Sequence, residues 1–330
     1  MSRIAGALIA LFLMGVTASA ERPRPLGWAM EAMRDGNWEV AATLAARDGP
    51  VAVDVIEWHR LRVGAGTHAE VIDFLSRRPN WPSESTLRRR AEPAIAAAGA
   101  QAVRAFYATS PPQTAQGVLD YAAAQSAVGN TGEAEASVVL AWRTLQMTAS
   151  VRNKYLAQYG DLLAPHHSAR ATEMLWDGAS GSTQAMFDLI PKGEVALARA
   201  RLALQARSDA VDVRIAAVPE AQQADPGLAH DRFEWRIRKG RWADAKALLL
   251  ERSTSADALG RPDKWANRRR ALARDEMRDG DATRAYQMAS QHFLTAGSHF
   301  ADLEWLSGYI ALRKLDDPER AFGHFQAHRN

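Results

Sequence analysis

The chain has 330 residues, of which 47% are apolar and 24% are charged, and its formal net charge is +3. This apolar fraction is ordinary for a folded protein, and the length suffices for a large buried interior or a long repeat array. The weak positive charge is far from the dense basic patches that bind nucleic acid, so we expect no nucleic-acid partner. The absence of cysteine excludes a disulfide framework.

The first twenty residues have the pattern of a cleavable export signal. Arg3 supplies a positive start, positions 4–16 form an apolar run, and Ala18-Ser19-Ala20 is a small-x-small cleavage site. The apolar run is too short to span a bilayer. We therefore expect cleavage after Ala20 and, for a Gram-negative source, a periplasmic protein without a stable membrane anchor. The alternative is a buried N-terminal helix.

From residue 21 onward, the chain is rich in helix-forming residues and lacks the strict apolar/polar alternation of strands, which predicts an all-α fold. A weak unit recurs, in which a Gly at a helix end is followed five positions later by an Ala. Gly99 and Gly160 lie at suitable intervals but lack the Ala. The pairs are Gly36/Ala41, Gly64/Ala69, Gly129/Ala134, Gly193/Ala198, Gly240/Ala245 and Gly280/Ala285, with Asp316/Ala321 as a variant.

These anchors lie about 35 residues apart on average, which is close to the period of tetratricopeptide-like helix pairs. Gly can adopt the left-handed conformation in which helices commonly end. The small Ala lets two helix backbones approach closely, and a helix pair that cannot bury its own apolar face must stack on neighbours. We predict one domain over residues 21–330, built as a helix-pair solenoid. Positions 78–82, 110–113 and 253–263 are predicted loops.

A series of short motifs runs through the chain in order: RPNWP (78–82), LRRRAE (87–92), PPQT (111–114), AWR (141–143), HHSAR (166–170), LW (175–176), DPGL (225–228), FEWR (233–236) and EWLSGYIALR (304–313). From about residue 30 to the end, this series resembles the superhelical region of the soluble lytic murein transglycosylases, and most strongly so over positions 225–325. No single motif is chemically diagnostic, so the resemblance rests on their order.

The resemblance implies a right-handed αα-superhelix with a ring or U shape, in a periplasmic enzyme that cleaves peptidoglycan. That family cuts the bond between N-acetylmuramic acid and N-acetylglucosamine without adding water, and closes a 1,6-anhydro ring. One glutamic acid with a raised pKa protonates the leaving oxygen, which requires an apolar pocket. The resemblance further implies that the catalytic domain follows the superhelix in the chain.

The family's catalytic Glu precedes a Ser and is followed by a Gly-Leu-Met-Gln segment. The only Glu-Ser pair of this chain is Glu84-Ser85, in a polar, Arg-rich context, and Gly-Leu-Met-Gln is absent. We interpret Glu84 as a surface or capping residue and name no catalytic residue. The expectation is an inactive superhelical segment that lacks the catalytic domain and shapes access to glycan strands, which it would bind weakly or indirectly.

A stand-alone periplasmic scaffold that binds other wall enzymes is the alternative function. The last predicted helix carries Phe322 and Phe325, an apolar face that would be unusual on a polar capping helix. A third hypothesis, an unrelated glycosidase site, would need paired inward-facing carboxylates.

Several other groups of residues are candidate contacts. Adjacent histidines at His166-His167 point in different directions on a helix, so we predict no metal site, and no cofactor either. The arginine runs at positions 88–90 and 268–270 could pair with murein carboxylates or form a solvated helix face. Four tryptophans are expected to pack in the core: Trp38, Trp58, Trp242 and Trp305. Trp81 and Trp265 are expected to be exposed as sugar contacts.

Overall fold

The structure is a computed structural model that describes residues 25–206 and 208–329. The predicted export signal at residues 1–20 therefore lies outside the described residues. Within the described ranges the chain is helical and has no strand, which confirms the predicted all-α class. The chain divides into two compact units between Gln113 and Thr114. The assignment of residues 21–330 to a single repeat domain stays a prediction.

The described part of the first unit, residues 25–113, contains six α-helices, and the predicted loop at positions 78–82 separates the fourth from the fifth. Helices that follow one another pack together, α1 on α2 and α4 on α5, while α3 also packs on α5. The helices are α1 Pro25–Arg34, α2 Trp38–Ala45, α3 Pro50–Arg62, α4 His68–Arg77, α5 Glu84–Ala97 and α6 Ala100–Tyr107.

The second unit continues the same alternation of helix and short turn. Its helices are α7 Ala115–Ser126, α8 Thr131–Thr144, α9 Ala149–Leu163, α10 His167–Trp176, α11 Ser180–Gln184, α12 Lys192–Ala206, α13 Val211–Ala216, α14 Pro226–Arg238, α15 Trp242–Arg252, α16 Ala256–Leu259, α17 Pro262–Asp279, α18 Ala282–Ser290, α19 Ser298–Lys314 and α20 Pro318–Arg329. The 3₁₀ turns Ala164–His166 and Glu220–Gln222 precede α10 and α14.

The hairpin turns are built on left-handed residues, as the Gly anchors predicted. Gly240 has φ +72°; its N–H donates to Ile237 O at 3.0 Å, and the next N–H, from Arg241, donates to Arg236 O at 2.9 Å. This pair of bonds is the Schellman motif, which satisfies the free carbonyls at a helix end. Equivalent pairs of hydrogen bonds follow α1, α3, α7 and α10, at Gly36, Gly64, Gly129 and Gly178 respectively.

The alanines five positions after the anchors are mostly buried at helix contacts. Ala41, Ala245 and Ala285 have no exposed surface, and Ala134, Ala198 and Ala321 are 1% exposed. The variant anchor behaves as predicted, because Asp316 adopts φ +52° between α19 and α20. Ala69 is an exception, since it is exposed on α4.

Three anchors do not have the predicted conformation. Gly193 lies inside α12, Gly280 ends α17 at φ −127°, and Gly160 lies inside α9 next to a kink at Tyr159. The predicted loop at 253–263 is only partly a loop, because it contains α16, whose Leu259 is fully buried. A polar composition hid this short helix.

The buried apolar residues of both units form local clusters whose members are close in sequence. The first unit has a cluster between Ala29 and Ile56, and the second has successive clusters over 115–195, 200–228 and 229–310. The pairs of helices with extensive contact are neighbours or near neighbours in sequence, such as α10 with α12 and α12 with α14. One long-range contact is the ion pair from Arg261, at the start of α17, to Glu173 of α10.

Candidate functional site

The Glu84-Ser85 pair lies at the first turn of α5 and is fully engaged in surface contacts. Glu84 Oε1 accepts a hydrogen bond from Arg88 Nε at 2.7 Å, and its side chain remains 37% exposed. Ser85 Oγ donates to Gln113 Oε1 at 3.0 Å. A general acid needs an apolar pocket that raises its pKa, and Glu84 lies in an open, polar depression instead. The structure therefore places this pair on the surface.

The two adjacent histidines diverge and form no metal site. His166 ends the 3₁₀ turn before α10, and His167 begins the helix with its ring 5.5 Å from that of Trp142. Burial lowers the pKa of His167, and the positive charges of His166 and Arg170 lower it further. In the described part of the chain, no group of three His, Cys, Asp or Glu side chains could hold a metal ion.

The arginine runs are divided between surface and core. Arg88 pairs with Glu84 and lies over the ring of Phe106, whereas its two neighbours are exposed. In the second run, Arg268 is exposed, Arg269 is fully buried and Arg270 pairs with Asp302. Neither run presents three guanidinium groups on one surface, so the candidate murein contact is reduced to the exposed members.

The tryptophans differ from their predicted roles at several positions. Trp265 was expected at the surface, but it is fully buried and donates from Nε1 to Leu259 O at 3.0 Å. Trp81, also expected to be exposed, is half-buried edge-on against Phe74. Trp242 and Trp305, expected in the core, are 51% and 45% exposed. Trp38 and Trp58 are half-buried.

Three arginines are buried although the sequence did not predict their burial. Arg201 Nε donates to Asp231 Oδ2 at 2.7 Å, but the other two, Arg170 and Arg269, have no carboxylate partner among the described residues. Arg170 donates to Trp142 O and Leu145 O, at the end of α8, and Arg269 donates to Met288 O at 2.8 Å, near the end of α18. Burial lowers the pKa of Arg170 to about 10 and that of Arg269 to about 9. These side chains bind helix ends together.

A groove of about 480 Å³ lies between α10 and α12 in the second unit. The segment before α14 closes one side of it. Its floor is apolar and its rim is polar, and we refer to it as the α10/α12 groove. The side chains that line it include Ser168, Thr172, Leu175, Ile190, Glu194, Leu197, Gln222 and Asp225.

Three polar side chains of the α10/α12 groove, Ser168, Thr172 and Glu194, are available to a ligand. Hydroxyls of several other helical Ser and Thr residues bond back to the carbonyl four residues earlier, as Thr183 does at 3.1 Å. Ser168 and Thr172 have no such bond, and Glu194 has no ion pair, within the described residues. Gln222 Oε1 is buried without a hydrogen-bond partner there. A hydroxyl-rich ligand could bond to Ser168, Thr172 and Glu194 while its C–H face contacts the apolar side chains of the groove.

The groove has the features of a binding site, because it is a concave surface lined by both polar and apolar side chains. Among the described residues, each carboxyl group with a shifted pKa has it lowered, as hydrogen bonds from Arg60 lower that of Glu70 to about 2. A lowered pKa keeps a carboxyl group ionised and unable to donate a proton at neutral pH. None of these four carboxyl groups lines the groove, whose hydroxyl and carboxylate groups support binding.

No helix in the described ranges combines the length and the apolar character needed to cross a bilayer. Comparisons of the chain with protein-family models, with curated proteins and with solved structures found no match. Function is therefore inferred from the residues and from the geometry of the hairpins and the groove.

Proposed function

We propose that the chain is the superhelical part of a periplasmic lytic murein transglycosylase, which shapes access to glycan strands and positions a catalytic domain. The ordered series of sequence motifs carries this proposal. The repeated hairpins support it, because Gly240 and Ala245 occupy a left-handed turn and a buried helix contact as a stacked helix-pair array requires.

Several residues of the motifs that carry the resemblance serve packing. Phe233 of α14 is fully buried, and its ring centroid lies 4.7 Å from that of Trp265. In α19, Leu306 and Ile310 are 1% and 0% exposed and join the same core cluster. Residues of this kind set the shape of a protein rather than its reaction, which supports a scaffolding role for the segment.

We further propose that the hairpins stack into a right-handed αα-superhelix with a ring or U shape. Support comes from the local character of the helix contacts, because repeat proteins bury each unit mainly against its neighbours. The export signal at residues 1–20 would deliver the protein to the periplasm, with cleavage after Ala20.

The α10/α12 groove is the proposed contact to glycan. Peptidoglycan strands are rich in hydroxyl and amide groups, and Ser168, Thr172 and Glu194 present acceptors and donors beside the apolar side chains of the groove. The groove is open, so weak binding that is repeated along a polymer is expected rather than tight binding of one sugar.

The experiment is sedimentation of the purified protein with isolated murein sacculi. We expect partial co-sedimentation at low salt and no release of anhydromuropeptides. A variant with Thr172→Val and Glu194→Gln should bind less, whereas Glu319→Gln, on the exposed side of α20, should bind like the wild type. Failure of the wild-type protein to sediment with sacculi, or release of anhydromuropeptides by it, would contradict the proposal.

An exposed aromatic stripe on α19 favours the alternative, a scaffold for other wall enzymes. Trp305 is 45% exposed and stacks on Tyr309 with ring centroids 5.4 Å apart, and Leu312, one turn further on, is 41% exposed. Protein interfaces are enriched in such residues. Co-purification of a wall enzyme that Trp305→Ser abolishes, with sacculus binding unchanged, would favour the scaffold over the glycan-shaping role.

A further inference from the structure

Four polar side chains form a continuous hydrogen-bonded network among the last three helices. Glu304 of α19 lies at its centre, with Oε1 2.8 Å from His292 Nε2 and Oε2 2.7 Å from His324 Nδ1. His324 Nε2 in turn lies 2.8 Å from the hydroxyl of Tyr286 on α18. His292 is 3% exposed and Glu304 is 8% exposed, so the centre of the network is shielded from water.

The partners of His292 fix its protonation state. The backbone N–H of Leu294 donates to His292 Nδ1 at 3.0 Å, so Nδ1 carries no proton. The other ring nitrogen, Nε2, must then carry the proton that is donated to Glu304. His292 is therefore held as the neutral Nε2–H tautomer, and both ring nitrogens are fully used.

We propose that His292 is an acid-sensitive latch: protonation of its Nδ1 breaks the bond from Leu294 N–H and releases the segment between α18 and α19. A protonated Nδ1 is a donor that faces another donor, and one of the two must move away. The Nε2–H bond to Glu304 survives protonation, so the imidazolium stays in place and the backbone of Leu294 is the part that leaves.

The second histidine of the network has no such conflict. His324 Nδ1–H donates to Glu304, and its Nε2 accepts from Tyr286 O–H in the neutral ring. When Nε2 gains a proton, the tyrosine hydroxyl can rotate and accept it, because a hydroxyl is both donor and acceptor. Protonation of His324 therefore leaves its contacts intact, which confines the latch to His292.

The backbone of the latched segment favours release. Phe293 has φ +55°, in the left-handed region that bulky residues rarely adopt, and its side chain is 38% exposed. The Leu294 bond to the histidine next to Phe293 holds this turn. Once that bond is lost, the turn can relax to a more favourable backbone conformation.

Other charged groups on the packed helices are engaged elsewhere. On α17, Arg269 donates to Met288 O and to Ser253 Oγ, and Arg270 pairs with Asp302 of α19. On α20, Arg320 pairs with Asp317 and lies over the Tyr286 ring, and His328 contacts Ala301 O. Among the described residues, the His292 ring contacts the ring of Phe300, the Glu304 carboxylate and the Leu294 amide.

The test is nuclear magnetic resonance of the full-length protein labelled with ¹⁵N at histidine and leucine. At pH 8 the ring nitrogens should show His292 as the Nε2–H tautomer and His324 as the Nδ1–H tautomer. When the pH is lowered from 8 to 5, the hydrogen-exchange protection factor of the Leu294 amide should fall by about tenfold or more.

Two variants separate the latch from its surroundings. His292→Asn retains an acceptor for the N–H two residues on, as in an Asx turn, but cannot be protonated. Its Leu294 protection should therefore be independent of pH. In His324→Gln, the protection of the Leu294 amide should still depend on pH. The proposal would be overturned if Leu294 protection in the wild type does not change with pH, or if it still changes with pH in His292→Asn. A Nδ1–H tautomer of His292 at pH 8 would also overturn it.

Discussion

The left-handed glycines are the residues at which the sequence dictates the fold most directly. A Cβ at Gly240 would meet no atom within 4 Å, so only the positive φ of +72° resists substitution. We expect Gly240→Ala to lower the free energy of unfolding by about 1–2 kcal/mol. Gly323, inside α20 with equal space and no positive φ, is the matched control. Gly323→Ala should stabilise by about 0.5–1 kcal/mol, and equal effects in urea denaturation would contradict this reasoning.

The small residues after the turns matter for the opposite reason, because they have no room. Ala245 is fully buried on α15, whereas Ala247 on the same helix is exposed. Ala245→Trp should therefore overpack the helix contact and cost about 1–3 kcal/mol of unfolding free energy. Ala247→Trp should stay within about 0.5 kcal/mol of wild type. A similar loss for both variants in thermal or urea melts would show that Ala245 is not a helix contact.

Tryptophan positions show what a single sequence does not reveal. The local context of Trp265 is polar, but Trp265, Arg269, Leu272 and Glu276 recur at helical spacing and are all buried. That spacing was the signal for burial. No corresponding signal marked Trp242, which follows a turn Gly but lies on the outer side of the first turn of α15. Exposure at such a position depends on which helix packs against that turn. The residues adjacent in sequence do not determine this.

Among the elements, helix α8 depends on a side chain from another helix. Arg170 of α10 donates to the carbonyl groups of Trp142 and Leu145 at the end of α8. Arg170→Met keeps most of the volume but leaves these acceptors unpaired, so we expect a loss of roughly 1–3 kcal/mol. Arg143→Met, at an exposed position of α8, is the control and should change stability little. The free energies of unfolding of both variants, measured by urea denaturation, test this prediction. A value for Arg170→Met equal to that of the wild type would contradict the capping role.

The three C-terminal helices should show a specific dependence of stability on pH. Burial opposes ionisation of Glu304, but hydrogen bonds from His292 and His324 outweigh burial and lower its pKa to about 2 from an ordinary 4.5. Because the folded pKa is the lower one, the stabilisation is fully present above about pH 4.5 and is lost as the pH falls toward 2. Its size is on the order of 3 kcal/mol.

Glu304→Gln tests that stabilisation. The variant should be clearly less stable than wild type at pH 6.5, and the difference should shrink at pH 3.5 because the wild-type carboxyl group is losing its advantage. Glu319→Gln, exposed on α20, should show no such trend. Urea midpoints at both pH values give the result. A difference between wild type and Glu304→Gln that is the same at both values would contradict the assigned role of the network.

At the scale of the whole molecule, the sequence predicted the helical class and the hairpin turns better than the interior contacts. Gly and Asp at turns and Ala at contacts act through local geometry, so Gly36, Gly129, Gly240 and Asp316 could be identified without coordinates. Arg269 was not predicted to be buried, because a run of three arginines resembles a solvated helix face and masks the helical spacing that indicates burial. The candidate α10/α12 groove was equally hidden, since its lining comes from three separate segments.

Small-angle X-ray scattering of the monomeric protein tests the central claim of a stacked helix-pair array most directly. A compact protein of this length has a radius of gyration of about 20 Å. An open superhelix of the same chain predicts a clearly larger radius and a distance distribution with a long tail. A radius at the compact value with a symmetric, bell-shaped distribution would contradict the solenoid and, with it, the proposed role in shaping access to murein.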